Sequence, residues 1–315
     1  MKKLFISTLM LLMFMLQAKA KPGIDFVKGM SWAQIKEKAK QEHKFIFLDI
    51  YTTWCVPCKL MANNIFPQAK VGDFFNQHFI SVKVQFDETK HDNSEVKRWY
   101  ADLKTIKEIY KIDLFPTYLF FNPEGELVHV IMGASPTAAD FVTKAKKALT
   151  PSTQYITIKK AYINSNRDTG FLSKLVPMAQ EVDDEQFLYE IAPPYLKMQH
   201  NMLTSQNLKL IATTTMSESD PGFKVLMDHG DKIDAAMGEK VSHELVTSII
   251  FDTDVLPLLR ENGKKQTFPG GLVMYSGKVI KMPDWMVIKE KLAAAYPNRA
   301  EEIILYAKSI YKQWK

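Results

Sequence analysis

The chain has 315 residues, of which 46% are apolar and 24% charged, enough for one or two packed cores and too apolar for a disordered segment. Removing Lys2, Lys3 and Lys19, which lie in a leader, from the formal net charge of +6 leaves +3. That excess is too small and too scattered to point to nucleic acid or an anionic membrane as partner. Two cysteines are too few for a disulfide-stapled scaffold or for a zinc site of thiolates alone, and the seven histidines show no paired helical spacing, so no metal or organic cofactor is expected.

Residues 1–20 open with Lys2 and Lys3, continue as an apolar run from Leu4 to Leu16, and end in Ala18-Lys19-Ala20. This is the pattern of a cleaved export signal, with a mature start at Lys21. The run falls short of the roughly 20 residues that span a bilayer, which weighs against an anchor. The expected location is a bacterial periplasm, where disulfides persist, with no stable membrane insertion after cleavage.

Ser31 and Gln34 have capping-box spacing and open a helix that runs to about His43 with Trp32, Ile35 and Ala39 on one face. Phe45 to Ile50 is short and nearly all apolar, the pattern of a central strand covered on both faces. A helix follows from Val56 to Ile65, broken near Pro67, and a further helical turn through Phe74 and Phe75 leads to a second strand, Phe79 to Phe86. After a polar loop, Ser94 opens a helical segment carrying Val96, Trp99, Leu103, Ile106, Ile109 and Tyr110. Two apolar runs, Tyr118–Phe121 and Leu127–Ile131, flank Asn122-Pro123-Glu124-Gly125, which is hairpin punctuation. A helix from Ala138 to Leu149 closes a mixed sheet flanked by helices.

Pro151 marks the expected boundary between residues 21–150 and a second domain, 151–315. There the apolar residues recur at three-and-four spacing, as at Leu172, Leu175, Val176 and Ala179 or Ile303, Ile304, Ala307 and Ile310. Pro177, Pro193, Pro194, Pro221, Pro257 and Pro297 are read as cutting it into short helices. Leu272 to Lys281, interrupted by Ser276-Gly277, reads as a hairpin. No fixed repeat is present, and no catalytic constellation is found in this mainly helical half.

Cys55 and Cys58 stand two residues apart where the first strand passes through a short loop into a helix. The free amides and dipole of a helix N-terminus stabilise an anion, which suits Cys55 as an attacking thiolate of lowered pKa. Cys58, one turn further and more shielded, suits a resolving thiol. Pro57 has no amide hydrogen to leave unpaired in the first turn, and Trp54 covers the approach. A static disulfide is the bland alternative, but so small a loop removes little chain entropy. Half a zinc site has the same spacing and would need two more ligands.

The segment from Asp49 through Trp54, Cys55, Val56, Pro57, Cys58 and Lys59 resembles the active-site segment of the thioredoxin superfamily, in particular the thioredoxin-like domains typified by the C-terminal domain of DsbD. The resemblance covers roughly residues 25 to 150. It implies an α/β thioredoxin fold, with Asp49 as the buried acid that serves proton transfer for Cys58, and Lys83 on the neighbouring strand as its ion partner. It also implies a cis peptide at Phe115-Pro116, where the backbone aligns a substrate chain in strand fashion. Val56 in place of glycine, Phe115 in place of a small or β-branched residue, and about a dozen extra residues between Lys83 and Pro116 depart from the family pattern.

The sequence thus predicts an exported thiol-disulfide oxidoreductase acting on protein substrates through Cys55 and Cys58, as a reductase served by a redox partner protein. The alternatives are an isomerase or oxidase, and an interaction protein whose helical half binds a partner. Oligomeric state is not encoded in any pattern found.

Overall fold

The computed structural model describes residues 23–110, 112–261, 263–267 and 273–314; the expected export signal lies outside them. The chain forms two compact units, the first ending at Asn164 and the second beginning at Ser165.

In the first unit, α1 (Trp32–Glu42) carries the full capping box, the Ser31 side chain accepting the Gln34 N–H and the Gln34 side chain accepting the Ser31 N–H. Strand β1 (Phe45–Tyr51) follows, then α2 (Val56–Leu60), which continues as a π-helical turn at Met61–Ile65. Helix α3 (Ala69–His78) runs directly into β2 (Phe79–Gln85). The apolar spacing after Ser94 predicts one helix, but the structure has two, α4 (Ser94–Arg98) and α5 (Tyr100–Tyr110). Trp99 separates them: it is buried, and its N–H closes a tight turn onto the Val96 carbonyl at 3.0 Å. The same spacing puts Ile109 on the buried face, yet it is exposed. Strands β3 (Thr117–Phe121) and β4 (Leu127–Met132) form the expected hairpin, whose Gly125 adopts φ 84°, a conformation that disfavours a side chain. Helix α6 (Ala138–Lys146) ends in a 3₁₀ turn at Lys147–Leu149.

The sheet order is β2-β1-β3-β4, with β1 parallel to β2 and antiparallel to β3, and β3 antiparallel to β4. Strand β1 is apolar because both of its faces are packed. Phe47 points to one side and meets Phe75, Phe66 and Phe141 with ring centroids 4.7, 6.5 and 6.1 Å away. Ile46, Leu48 and Ile50 point to the other side and are fully buried. On that side Phe121, the partner of Ile46, is contacted by Trp32 of α1 and Tyr110 of α5.

Helix α7 (Tyr155–Asn164) lies past the boundary expected at Pro151 but packs on β4, within the first unit. Its Tyr155 N–H donates to Nδ1 of buried His129 at 3.1 Å. Burial, with a smaller push from Lys147, holds that imidazole down at about 3, so it is a neutral acceptor near pH 7. At the opposite side of the sheet, Phe26 bridges to Ser81 and covers part of β2.

The second unit contains α8 (Leu172–Glu181), α9 (Glu185–Lys197), α10 (Ser205–Thr214), α11 (Phe223–Asp228), α12 (Gly230–Met237) and α13 (Val241–Ile250). Strands β5 (Arg260–Glu261), β6 (Lys265–Thr267), β7 (Val273–Tyr275) and β8 (Lys278–Val279) precede α14 (Trp285–Ala295) and α15 (Ala300–Gln313). Pro177 lies inside α8, and Pro193 and Pro194 lie inside α9, rather than at helix ends. A proline costs an interior helix about 3 kcal/mol, but each fully buried leucine or valine contributes about 1.5–3 kcal/mol. Burial of Leu172, Leu175 and Val176 on α8, and of Phe187, Leu188, Ile191, Tyr195 and Leu196 against the two prolines of α9, offsets that cost. Three of these helices, α9, α10 and α14, start at side-chain caps, on Asp184, Thr204 and Asp284. The segments on either side of Ser276-Gly277 do not pair with each other: β7 pairs with β6 and β8 with β5.

Phe47 contacts aromatic rings from several elements, so truncating it leaves a cavity those rings cannot all collapse into. Phe47→Ala is expected to lower unfolding free energy by about 3–5 kcal/mol, measured as a drop in denaturant midpoint with an unchanged slope.

Candidate functional site

Strand β1 ends at Tyr51, and a short turn brings the chain to Cys55, the N-cap of α2. Its Sγ accepts the Cys58 N–H at 3.0 Å, the place a serine or aspartate oxygen takes in an ordinary cap. Pro57 lies in the first turn, and Cys55 and Cys58 are joined as a disulfide with Cα atoms 5.3 Å apart. The sequence expects Cys58 to be the more shielded partner. In the disulfide form both are covered, Cys55 at 2% and Cys58 at 6% exposure, so Cys58 is not the more shielded of the two.

Large apolar side chains surround them in sequence and are open to solvent: Trp54 at 66%, Val56 at 65% and Leu60 at 53%. The Trp54 ring stands edge-on to Phe115 at 5.8 Å, and Phe115 packs against Phe86 at 4.8 Å, over which Lys107 Nζ sits 4.1 Å from the ring centroid. This cluster joins the turn before Cys55 to the chain before β3. Phe86 and Lys107 are absent from the sequence-derived set, because residues so far apart in the chain leave no spacing signal. The Phe115–Pro116 peptide is cis, Pro116 is buried, and its carbonyl accepts the Gly133 N–H at 2.8 Å. The next residue, Thr117, pairs with Ile50 of β1, so the turn before β3 lies alongside the end of β1.

Asp49 is buried in β1 and stands opposite Lys83 of β2. Lys83 Nζ is 3.6 Å from Asp49 Oδ2, an ion pair beyond good hydrogen-bond length, and 4.8 Å from the centroid of the Tyr51 ring. Burial raises the Asp49 pKa to about 6, against the downward pull of the Lys83 charge. The folded protein therefore holds a proton here that the unfolded chain has released between about pH 4 and 6. Asp49 weakens folding progressively as pH rises through that window, and its full cost applies above it. Asp49→Asn is expected to raise stability at pH 7 by an amount on the order of 2–3 kcal/mol and to flatten the stability slope between pH 4 and 6, measured by urea unfolding across that range.

Among the described residues no group of three histidine, cysteine or acidic side chains is arranged to hold a metal, and no helix is long and apolar enough to cross a membrane. In the second unit, His243 Nε2 lies 2.8 Å from Glu302 Oε1, and Arg299 contacts both Glu302 and Thr247, a clasp between α13 and α15.

The family model described as a thioredoxin-like domain matches residues 32–149. Thioredoxin-2 of Pyricularia oryzae is 32% identical over 111 residues, 35% of this chain and 53% of that protein. The disulfide bond reductase DsbH of Chlamydia pneumoniae is 32% identical over 121 residues, 38% of this chain and 70% of the relative. The thiol:disulfide interchange protein DsbD of Pasteurella multocida is 30% identical over 128 residues, 39% of this chain but 20% of its own length. The chain thus spans about half of the first of these relatives and a fifth of the last. A relative at the identity of DsbH over more than two thirds of its length, together with a family model over the segment that folds around Cys55 and Cys58, makes this chain a member of the thioredoxin-like family.

Proposed function

We propose that the chain is an exported thiol-disulfide oxidoreductase that works as a reductase of protein disulfides. The observation that carries this is the Cys55–Cys58 pair at the start of α2, with Cys55 Sγ on the Cys58 N–H and a buried acid on the strand that leads into it. In the reduced protein the Cys55 thiolate attacks one sulfur of a substrate disulfide, whose other sulfur leaves as a thiolate and takes up a proton. Asp49 accepts the Cys58 proton, and the Cys58 thiolate attacks Cys55 Sγ. The second substrate sulfur is released, the substrate gains two electrons, and the pair closes into the disulfide of this structure. A redox partner protein then restores the dithiol by the same exchange. Trp54, Pro57, Phe115 and Pro116 position the incoming chain, and the Lys83 ion pair keeps part of the Asp49 population ionised near neutrality.

Reduction rather than oxidation is favoured by the likeness to DsbH, a disulfide bond reductase. Export, with a periplasmic destination, is supported by the sequence pattern of residues 1–20. The second unit, from Ser165 onward, is proposed as a separate helical domain with a role outside the redox chemistry.

Wild-type protein is expected to reduce insulin disulfides with dithiothreitol as electron source, and Cys55→Ala to lose that activity; equal rates would reject the proposal. Cys58→Ala should accumulate mixed disulfides through Cys55, visible as adducts that a reductant dissolves, whereas a purely scaffolding chain would accumulate none. Asp49→Asn should slow the resolving step by about a hundredfold, the usual contribution of a placed general base. In wild type that step should slow as pH falls below about 6, where Asp49 already holds its proton, measured as the decay rate of a preformed mixed disulfide.

A further inference from the structure

Beyond the end of β2, one carboxylate grips the turn that carries the redox pair. Pairing between β1 and β2 matches Asp49 with Lys83 and Tyr51 with Gln85, and the Phe86 N–H extends the ladder onto the Tyr51 carbonyl at 2.7 Å. The same register brings Asp87 level with Thr53, and there the side chain takes over from the backbone. Asp87 Oδ1 accepts the Thr53 N–H at 2.9 Å, and Oδ2 accepts the Thr53 hydroxyl. Both oxygens are thus committed to one residue, two positions before Cys55. From there the chain turns tightly, with the Cys55 N–H on the Thr52 carbonyl at 3.3 Å, and places Cys55 Sγ on the Cys58 N–H.

Asp87 is itself held. Gln85 Nε2 donates to the Asp87 carbonyl at 2.9 Å and to Asp92 Oδ1 at 2.8 Å. Asp92 also accepts the Thr89 N–H at 2.8 Å, the Thr89 hydroxyl at 2.5 Å and, at 2.6 Å, the hydroxyl of Tyr100, the first residue of α5. Hydrogen bonds from Thr89 and then Tyr100 keep the Asp92 carboxyl well below the usual carboxylate range, so it remains an acceptor. The stretch between Lys83 and Pro116 that exceeds the family pattern is therefore tied, through two carboxylates, to the turn before the cysteines.

We propose that Asp87 is a positioning residue for Cys55, fixing Thr53 so that the cysteine sulfur stays on the Cys58 N–H when the pair is reduced. Charge-assisted bonds are the strong class of hydrogen bond, and a sulfur at a helix start is stabilised as a thiolate only while it stays aligned with the amides there. The proposal deepens the redox assignment of Cys55 and Cys58 and rests on it, but its test reads the thiolate directly and does not require turnover.

In full-length Cys58→Ala protein, Cys55 is the single thiol, and the backbone N–H at position 58 is retained. The pH dependence of its alkylation by iodoacetamide gives both the thiolate pKa and the rate at pH 7. Adding Asp87→Ala should raise the pKa and slow alkylation at pH 7 by about fivefold, the scale on which helix-end alignment acts. Asp87→Asn, whose amide can accept the N–H and donate to the hydroxyl oxygen, should rescue most of that loss. Thr53→Val should give a smaller slowing of about twofold and Thr53→Ser none, which keeps the test open should Asp87→Ala fold poorly. Equal acceleration in Asp87→Ala and Asp87→Asn would show that only the negative charge matters and would overturn the proposal, as would rates for Asp87→Ala and Thr53→Val that match the parent. Failure of wild-type protein to reduce insulin would reject the catalytic assignment alone and leave this comparison intact.

Discussion

Strand β1 is packed on both faces, and the position of every group in the site is counted from it. Phe47 locks one face into an aromatic cluster, while Ile46, Leu48 and Ile50 lock the other beneath α1 and α5. With no freedom to shift register, the strand delivers Asp49 to a fixed depth and releases the chain at Tyr51. A one-residue slip would move Asp49 to the opposite face and exchange Phe47 for Leu48 in the cluster. The aromatic packing therefore determines where the acid and the sulfurs stand as much as it stabilises the fold.

Two kinds of electrostatic control meet at the strand's end. Burial destabilises charge on Asp49, and the adjacent Lys83 restores part of it, leaving a carboxyl that can exchange protons near neutrality. The start of α2 offers a backbone N–H to the Cys55 sulfur. In the proposed exchange these are separate tasks, a carboxyl that takes up a proton and a sulfur that attacks as a thiolate.

Much of this was legible in the amino-acid sequence because the signals are local. Ser31 and Gln34 announce the first helix within four residues, the apolar run from Phe45 marks a doubly covered strand, and the cysteine spacing at its end speaks for itself. Legibility fails where the deciding contact is distant. The prolines of α8 and α9 look like helix ends until the buried face of each helix is known. The segments around Ser276 look like one hairpin, since alternation identifies strands but not their partners. The Trp54, Phe115, Phe86 and Lys107 cluster joins residues from four separate stretches, so no spacing could have revealed it.

The bond from the Tyr155 amide to His129 has a practical consequence for where the redox module ends. The family match stops at residue 149, ahead of α7. A fragment trimmed to that match would leave an interior imidazole without its donor and bare the surface of β4 on which the helix lies, whereas cutting after Asn164 keeps both. The packed unit around the cysteine pair thus extends past the end of the family match, through Asn164.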